Sequence, residues 1–487
     1  MSSKEIRIKP LGWQDAPDSE RFELSDMDHT MPKIYCQIAE IFELPQGSDK
    51  QIIIDSVSKG LEFALNQFPA LAGTIHMDDQ NGRMWVTKKK DSSVGLCVKT
   101  ADGDDGDLPT FDYLNQHDFP VHLLDGHRLL PKVVTEKQLF SPLGVNADDQ
   151  TITSTFQINF IHGGVILAAA IHHNCSDGTG CNGFLTTWAQ SSAAARTGAP
   201  FKPIDKDALN RERLSAPKPD SATWKALDGK FPILKDLGGP PPPPPADFKM
   251  PPMKIRLWHF PKSNAARLKQ DIGAGLGEDA WISTYDAVIA LLWKTVTGSK
   301  VALLRPDLDA PAILAYGMNV RSRMDPPLPD AYLGNVVALP STEPRRIRAI
   351  LADGSLPDMA LAVRGATQSI DGAYVAGVSA WVAGLEDRRW IAVNMRSFLG
   401  MDLAATSWQA MTPYQDHDFG FGLPRALRWP HPQFEGYVFV LPSRAGVKAD
   451  APDEGLEVIV CLEESCHDRL LQDEELLRYA QPRGHMA

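Results

Sequence analysis

Hydrophobic and polar positions in the first half of the chain follow two different spacings. Over 49–68 the apolar residues recur every three to four positions, which predicts an amphipathic helix that ends at Pro69. Apolar runs at 34–44, 152–160 and 164–171 have the length and alternation that are typical of strands. The first half therefore mixes strands with helices.

The second half shows the same mixture. Residues 253–260 alternate in the manner of a strand, and Ser283 is placed to cap a helix over 287–297. Further strands are predicted at 312–320, 388–394, 434–441 and 456–462, and helices at 357–385 and 465–479. Because strands and helices alternate irregularly in both halves, the pattern favours an α/β or α+β fold. We expect the tail, 481–487, to be disordered.

The chain of 487 residues is too long for one hydrophobic core, and its composition changes near the middle. Residues 201–250 are rich in Pro, Lys and Asp, and six consecutive prolines, 240–245, exclude a helix or a central strand. We therefore predict a first domain over 1–200, an exposed crossover over 201–250 and a second domain over 251–487. A proline-rich recognition motif for another protein is the alternative interpretation of the crossover.

Composition excludes several classes of protein. The net charge of -12 argues against a nucleic-acid or anionic-membrane partner, and no stretch approaches 18 continuous apolar residues. The N-terminus lacks the apolar core of a secretory signal, and six cysteines without metal spacing indicate reduced thiols. We expect a cytoplasmic monomer. The aspartates of 100–109 lack the closing glutamate of a calcium loop, so we expect a solvated loop there.

Reactive side chains cluster where the predicted strand 164–171 runs into a turn, and a helix is predicted after the turn at about 179–192. The turn carries His172, His173, Cys175 and Asp177. A neutral imidazole takes protons near neutral pH, which makes a general base the favoured interpretation. A metal site of the two histidines and the aspartate, a cysteine nucleophile, and two core histidines stay as alternatives, although adjacent histidines point to opposite faces of an extended chain.

Two motifs in this chain resemble those of one enzyme family. They are His172-His173-x-x-x-Asp177-Gly178 and, some 240 residues later, Asp418-Phe419-Gly420-Phe421-Gly422. Together they resemble the BAHD superfamily of CoA-dependent acyltransferases, in the fungal branch similar to trichothecene 3-O-acetyltransferase. In that family the second motif usually carries Trp where this chain has Phe421. The resemblance covers about residues 6–480.

The resemblance implies two domains similar to chloramphenicol acetyltransferase, each a mixed β-sheet with flanking helices, joined by the long crossover. It implies that His173 is the general base and that Asp177 is structural and pairs with Arg321. The family has Asp where this chain has Asn319, and we expect that exchange to leave Arg321 with one fewer partner.

The resemblance also implies roles for residues of the second domain. Thr406 and Trp408 belong to a Thr-Ser-Trp string that the family commonly shows, and they are candidate donors to the oxyanion. Asp418, Gly420 and Gly422 are expected to form a structural turn away from the base.

The implied function is an enzyme of secondary metabolism that moves an acyl group, most simply acetyl, from acyl-CoA to the hydroxyl of a small molecule by direct attack. No permanently bound cofactor and no metal are expected, and the residues that contact CoA are not identified. Two alternatives stay open. One is a condensation-like acyltransferase that takes its acyl group from a carrier protein, and the other is a catalytically silent family member that only binds a ligand.

Overall fold

The computed structural model describes residues 2–102, 108–135, 151–243, 245–430, 435–448 and 450–484. Its strands are β1 (Ser2–Ile8), β2 (Ser19–Glu23), β3 (Tyr35–Glu43), β4 (Thr74–Met77), β5 (Met84–Lys89), β6 (Val94–Thr100), β7 (Thr151–Ile152), β8 (Ser154–Ile161), β9 (Gly164–His172), β10 (Leu234–Asp236), β11 (Met253–Phe260), β12 (Pro311–Ala312), β13 (Leu314–Tyr316), β14 (Met318–Asn319), β15 (Val337–Ala338), β16 (Arg345–Arg346), β17 (Ile391–Val393), β18 (Leu403–Ser407), β19 (Ala426–Arg428), β20 (Tyr437–Leu441), β21 (Leu456–Glu463) and β22 (Gln481–Arg483). Its α-helices are α1 (Asp26–His29), α2 (Lys50–Gln67), α3 (Phe111–Gln116), α4 (Gly126–Leu129), α5 (Lys132–Thr135), α6 (Gly178–Thr197), α7 (Ser221–Leu227), α8 (Lys262–Gly273), α9 (Thr284–Leu304), α10 (Ile347–Leu351), α11 (Leu356–Gln368), α12 (Gly372–Gly384), α13 (Pro413–Asp416), α14 (Glu464–Leu470) and α15 (Glu474–Leu477).

Two six-stranded mixed sheets organise the molecule. The first sheet has the order β1-β6-β8-β9-β3-β19, and the second has the order β13-β18-β20-β21-β11-β22. In the first sheet only β6 and β8 run parallel, while in the second sheet β13, β18 and β20 run parallel to one another. The prediction of two mixed sheets with flanking helices is confirmed.

The first sheet is completed by a strand from the far end of the chain. Strand β19 pairs with β3, so that Ala426 lies opposite Ile41. The segment that leads to it packs into the same hydrophobic core, where Trp408, Phe419 and Leu427 are buried with the helices α2 and α6. The predicted domain boundaries stay a prediction, but the second half of the sequence clearly contributes to the first sheet.

A buried cluster of charges fastens β19 to the second sheet. Arg428, on β19, donates to both carboxylate oxygens of Glu457 on β21, at 2.8 and 3.0 Å, and to the carbonyl oxygens of Asp118 and Phe119. Burial alone would raise the pKa of Glu457, but the neighbouring Arg428, Arg444 and Arg483 hold it well below its usual range. The two sheets are therefore joined through ionised groups that water does not reach.

The long helix α9 forms the centre of the second core. Ser283 and Asp286 close its first turn as a capping box, and its residues from Ala287 to Thr297 are buried. By length and composition α9 would be long and apolar enough to cross a membrane, as core helices of globular domains also are. Its burial beneath α8, α11 and the second sheet accounts for this apolar composition.

The structure corrects the predicted exposed crossover. Two short 3-10 helices, α7 and β10 lie between 206 and 236, and Leu214, Phe231 and Ile233 are buried in a third hydrophobic cluster. The prediction is wrong for this part, because its apolar residues are too far apart to show periodicity, although several of them pack against the second domain. Prolines 240–243 and Pro245 are exposed, as predicted, and Pro244 lies outside the described residues.

Several other boundaries differ from the predictions. The tail prediction is wrong for Gln481–Arg483, because this segment pairs with β11 as β22, while 485–487 lie outside the described residues. The strand expected over 312–320 is divided among β12, β13 and β14, and the helix over 465–479 is divided where Asp473 caps a new turn. Of the aspartate-rich loop, 103–107 lie outside the described residues.

Helices α2 and α6 approach closely on one face of the first sheet, and Gly60 makes that approach possible. A Cβ on Gly60 would lie 2.6 Å from the backbone nitrogen of Ser192 and 2.8 Å from its Cα. The Nε1 atom of Trp188 donates to the carbonyl oxygen of Val57 at 2.9 Å, which fixes the crossing.

We predict that Gly60→Ala destabilises the protein by about 2 kcal/mol, because overpacking against backbone outweighs the gain in helix propensity of about 1 kcal/mol. Gly365, in the exposed face of α11, is the matched control, since a Cβ there meets nothing within 4 Å. Gly365→Ala is expected to raise the free energy of unfolding slightly. Urea unfolding of both variants measures the difference, and equal midpoints would contradict the close packing.

Candidate active site

The turn that follows β9 carries His173 beside Asn335, a residue of the second half of the chain. His172 is the last residue of β9 and lies opposite Tyr35, and the backbone N–H of His173 donates to the carbonyl oxygen of Ile34 at 2.7 Å. Helix α6 begins five residues later, where Asp177 caps it by accepting from the N–H of Gly180 at 2.8 Å. A buried strand and a capped helix therefore hold the turn from both sides.

The side chain of Asn335 sets the hydrogen-bonding state of His173. Its amide nitrogen donates to the carboxylate of Asp28 at 2.8 Å and to the carbonyl oxygen of His173 at 2.7 Å. Both partners are acceptors, so the amide oxygen must face Nδ1 of His173, from which it lies 3.1 Å away. Nδ1 therefore carries the imidazole proton, and Nε2 keeps its lone pair.

Asp28 is the fixed acceptor on which this orientation depends. The carboxylate is fully buried in the short helix α1 and accepts from the N–H and Oγ of Ser25 at 2.7 and 2.8 Å. It also accepts from the backbone N–H of Asn335 at 2.8 Å and forms an ion pair with Arg211. A carboxylate that accepts this many hydrogen bonds is held in place, and it therefore keeps the amide of Asn335 in this orientation.

His173 is only partly exposed, and this burial decides its charge. Desolvation lowers its pKa below the ordinary value of 6.5, while Asp177 and Asn335 oppose the change in part. The imidazole is therefore neutral at neutral pH, as a general base must be.

Asp177 does not form a catalytic triad with His173. Its two oxygens accept from the guanidinium of Arg321, each at 2.9 Å, and also from the N–H groups of Gly180 and Val336, each at 2.8 Å. These four bonds use both oxygens of the carboxylate, whereas Nδ1 of His173 is bonded to Asn335. The ion pair that the resemblance implied is therefore present, and both members are 1% exposed.

The exchange at Asn319 does not deprive Arg321 of a partner. The amide oxygen of Asn319 accepts from the backbone N–H of Arg321 at 3.0 Å and from its Nη1 at 3.2 Å. The expectation of one fewer partner is wrong, because an amide oxygen at this distance replaces one oxygen of the family's carboxylate.

The other reactive side chains of the turn lie in the core. His172 is fully buried edge-on to Tyr35, and burial lowers its pKa to about 3. Cys175 is also fully buried, and its pKa is raised to about 12, so it is a poor nucleophile. No group of three or more potential metal ligands occurs among the residues that the structure describes. These observations favour the general-base interpretation of the turn.

The two candidate oxyanion donors lie on or beside β18. Trp408 stacks on Trp429 with ring centroids 5.1 Å apart, and its Nε1 would lie 2.9 Å from a Cβ placed on Gly178. The indole N–H therefore reaches the first residue of α6. Thr406 lies two residues earlier, on the same face of the chain, with its hydroxyl near Gly317.

The Asp418 motif forms a turn at the opposite end of α6. Asp418 accepts from the N–H groups of Gly420 and Gly422 at 2.7 and 3.0 Å, and both glycines have positive φ values, 92° and 104°. Gly420 lies against Ala193 and Arg196. Fifteen residues of helix separate this contact from Gly178, which is about 22 Å at 1.5 Å per residue.

Sequence reasoning missed three residues of the site: Asp28, Arg211 and Asn335. The spacing from Ser25 to Asp28 is that of a capping box, which predicts a helical turn but no link to His173. Asn335 and Arg211 have no local signal at all, since they reach the site from positions 162 and 36 residues beyond His173 and Cys175.

Comparison with known proteins places the chain among transferases. The model of the Transferase family matches residues 121–477, and the model of the trichothecene 3-O-acetyltransferase-like N-terminal domain matches residues 34–191. Acetyltransferase FGR3 of Gibberella zeae is 28% identical over 98% of this chain and 93% of its own length.

Solved structures share the fold. The TRI101 protein of F. graminearum in complex with ethyl coenzyme A superposes with a TM-score of 0.75 at 19% identity, over 95% of this chain and 99% of that one. The TRI101 protein of F. sporotrichioides in complex with coenzyme A and T-2 gives 0.72 at 20% identity, with the same coverage.

We predict that Asp177→Asn destabilises the protein by about 3–5 kcal/mol, because it leaves the buried guanidinium of Arg321 without its counter-charge. Asp309, which pairs with Arg348 on the surface, is the matched control, and Asp309→Asn is expected to change stability by less than about 1 kcal/mol. Chemical unfolding of both variants gives the comparison. An equal loss of unfolding free energy in both variants would show that the buried pair contributes no more to stability than the surface pair.

Proposed function

This chain belongs to the Transferase family of acyltransferases, the BAHD superfamily, and we propose that it moves an acyl group from acyl-CoA to a hydroxyl of a small secondary metabolite. The observation that carries the proposal is the state of His173: a neutral imidazole with its proton on Nδ1 and a lone pair on Nε2. The groups that produce this state come from both halves of the sequence, and the acceptor would therefore meet the donor between the two sheets.

The reaction needs one base and no covalent enzyme intermediate. Nε2 of His173 takes the proton of the acceptor hydroxyl as its oxygen attacks the thioester carbonyl carbon. The tetrahedral intermediate then expels the CoA sulfur, and the proton on Nε2 passes to this thiolate. An ester and free CoA result, and His173 returns to its starting state. General-base assistance of this kind contributes about 10²–10⁴-fold to the rate.

Trp408 and Thr406 are the proposed donors to the oxyanion. A hydrogen bond from a preorganised N–H or O–H strengthens as the carbonyl oxygen gains charge, and one such donor is worth about 10²–10³-fold in kcat. The position of the indole N–H at Gly178, next to the turn, supports Trp408 more strongly than Thr406. Asp177 and Arg321 act on geometry by holding the turn that carries His173.

The donor and acceptor classes follow from the relatives. The name of acetyltransferase FGR3 supports acetyl as the acyl group, and coenzyme A with T-2 in the TRI101 structure supports a small molecule as the acceptor. Because the net charge is -12, the phosphates of CoA need local cations at their binding site.

We predict that His173→Ala lowers kcat at least 100-fold while the unfolding midpoint stays close to that of the wild type. Release of free thiol from acetyl-CoA, in a screen of trichothecene and other alcohols, measures the activity. Cys175→Ala is the control and should stay within about threefold. More than a tenth of wild-type activity in His173→Ala, or an acyl group on Cys175 in mass spectra, contradicts the mechanism.

Turnover with a carrier-bound acyl donor but not with acetyl-CoA would favour a condensation-like enzyme.

The pH profile provides a separate prediction. His173 must be neutral to act, and its lowered pKa leaves more than half of the imidazole neutral at pH 6.5. We therefore expect the acid limb of kcat/KM to have its midpoint below 6.5. A midpoint above 6.5 would mean that the free enzyme's essential base is a different group.

A further inference from the structure

We propose that the exposed part of the crossover is a docking site for a protein that binds polyproline in a groove of aromatic side chains. The site, called here the proline surface, consists of Pro240–Pro243 and the exposed apolar side chains of Leu237, Phe248, Val393 and Phe398. None of these residues belongs to the active site, so the proposal adds an interaction to the transfer reaction and does not depend on it.

The prolines of this surface are exposed and have no backbone partner. Pro240–Pro243 belong to no helix, strand or turn, and no hydrogen bond between described residues uses their carbonyl oxygens. The proline ring holds φ at about −65°, and consecutive prolines favour polyproline II with about three residues per turn. The surface therefore offers a partner more than one turn of proline rings and unused carbonyl oxygens.

Both ends of the proline run are held by the second half of the chain. Before the run, β10 pairs with β17, and the N–H of Leu237 donates to the carbonyl oxygen of Trp390 at 3.0 Å. After the run, the N–H of Phe248 donates to the carbonyl oxygen of Pro245 at 2.9 Å, and the ring centroids of Phe248 and Phe398 are 6.3 Å apart. A partner would therefore bind a segment whose ends are already fixed, which lowers the entropy cost of binding.

Exposed apolar side chains concentrate beside the run. The described part of the chain exposes twelve large hydrophobic side chains, and five of them belong to 237–250 or to the segment 391–398: Leu237, Phe248, Met250, Val393 and Phe398. Leu237 and Val393 also line one groove of about 420 Å³. Clusters of this kind on soluble proteins mark contact surfaces, whereas single exposed apolar residues need no explanation.

The residues that flank the prolines decide which kind of groove fits them. SH3 domains require an Arg or Lys at a fixed distance from the prolines, but Leu237 lies three residues before the first proline and Asp247 lies two residues after the last. Gly239 precedes the run and Ala246 follows it, so no aromatic side chain extends it in the manner that EVH1 and WW domains recognise. The remaining signal is the uninterrupted prolines, which aromatic rings bind by stacking.

The charges next to the run cancel one another. Lys235 and Asp236 precede it, and Asp247 and Lys249 follow it. Although the whole chain carries a net charge of -12, a partner would meet no net charge at this place. Stacking and apolar contact must therefore supply the affinity, and ionic strength should have little effect on it.

The test uses profilin as the probe, because it has an aromatic groove that binds polyproline. Spectra of nitrogen-15-labelled profilin are recorded while the full-length protein is added. We expect the signals of the groove residues to shift or broaden, and an added decaproline peptide to reverse the change. A rise in NaCl from about 0.05 to about 0.5 M should change the Kd by less than about threefold.

Variants of the prolines connect the binding to the run. Pro241→Ala combined with Pro242→Ala should weaken the binding at least about tenfold, because it removes two adjacent rings of the central turn. Pro251→Ala combined with Pro252→Ala is the matched control, since these consecutive prolines lie directly before β11 and outside the proline surface. The control should bind within about threefold of the wild type, and the unfolding midpoint should not change in either variant.

A second pair of substitutions tests the apolar flanks. Leu237→Ser combined with Phe398→Ser leaves the prolines intact and should weaken the binding at least about threefold. An unchanged affinity would remove the flanks from the docking site. The variant His173→Ala should bind profilin as tightly as the wild type does, so that docking and acyl transfer can fail independently.

The proposal is overturned if about 1 mM wild-type protein leaves the spectra of profilin unchanged, or if the Pro241 and Pro242 variant binds within threefold of the wild type. Tighter binding to an SH3 domain than to profilin would also overturn it. Sedimentation equilibrium examines the other occupant of the surface. A wild-type dimer that is lost in the Leu237 and Phe398 variant would assign the surface to a second copy of this chain and contradict the proposal.

Discussion

The buried ion pair between Asp177 and Arg321 is the contact on which the site depends. Two unit charges, each 1% exposed, cannot stay ionised in the core unless hydrogen bonds replace the water that they lost. Here the carboxylate accepts four bonds, and the guanidinium also donates to the carbonyl oxygen of Tyr332 at 2.9 Å. The pair joins the start of α6 to the second half of the chain. It therefore fixes how the two halves lie relative to each other at the site.

A second set of buried charged and polar groups surrounds His173, and it has a different role. Asp28, Asn335 and Arg211 come from three distant parts of the sequence, yet each is buried or nearly so and each has its hydrogen-bonding groups directed at the next. The first pair fixes where the turn lies, whereas this series fixes which nitrogen of the imidazole has a lone pair. Position and protonation are thus controlled by two neighbouring sets of charges, which meet where Val336, the residue after Asn335, donates to Asp177 at 2.8 Å.

Much of the fold and part of the site could be predicted from the sequence. Strands β9 and β11 and helices α2 and α6 were expected within a few residues of their bounds, because their periodic apolar faces are local signals. The pairing of Asp177 with Arg321 came from resemblance. Asn335 and Arg211 could not be found, since their roles arise from contacts over 162 and 183 residues with no local pattern. The crossover was judged from its composition, which conceals that a few apolar and charged residues in it are buried.

Strand β19 has a consequence for how the protein forms in the cell. The first sheet receives its last strand from Ala426–Arg428, far beyond β3 in the sequence, and the edge of β3 stays unpaired until that strand has been made. A ribosome must therefore add about 380 residues after β3 before the first sheet can close. During that interval an unpaired edge is available to other chains, so chaperone binding during translation is expected to concentrate on nascent chains that end before residue 426.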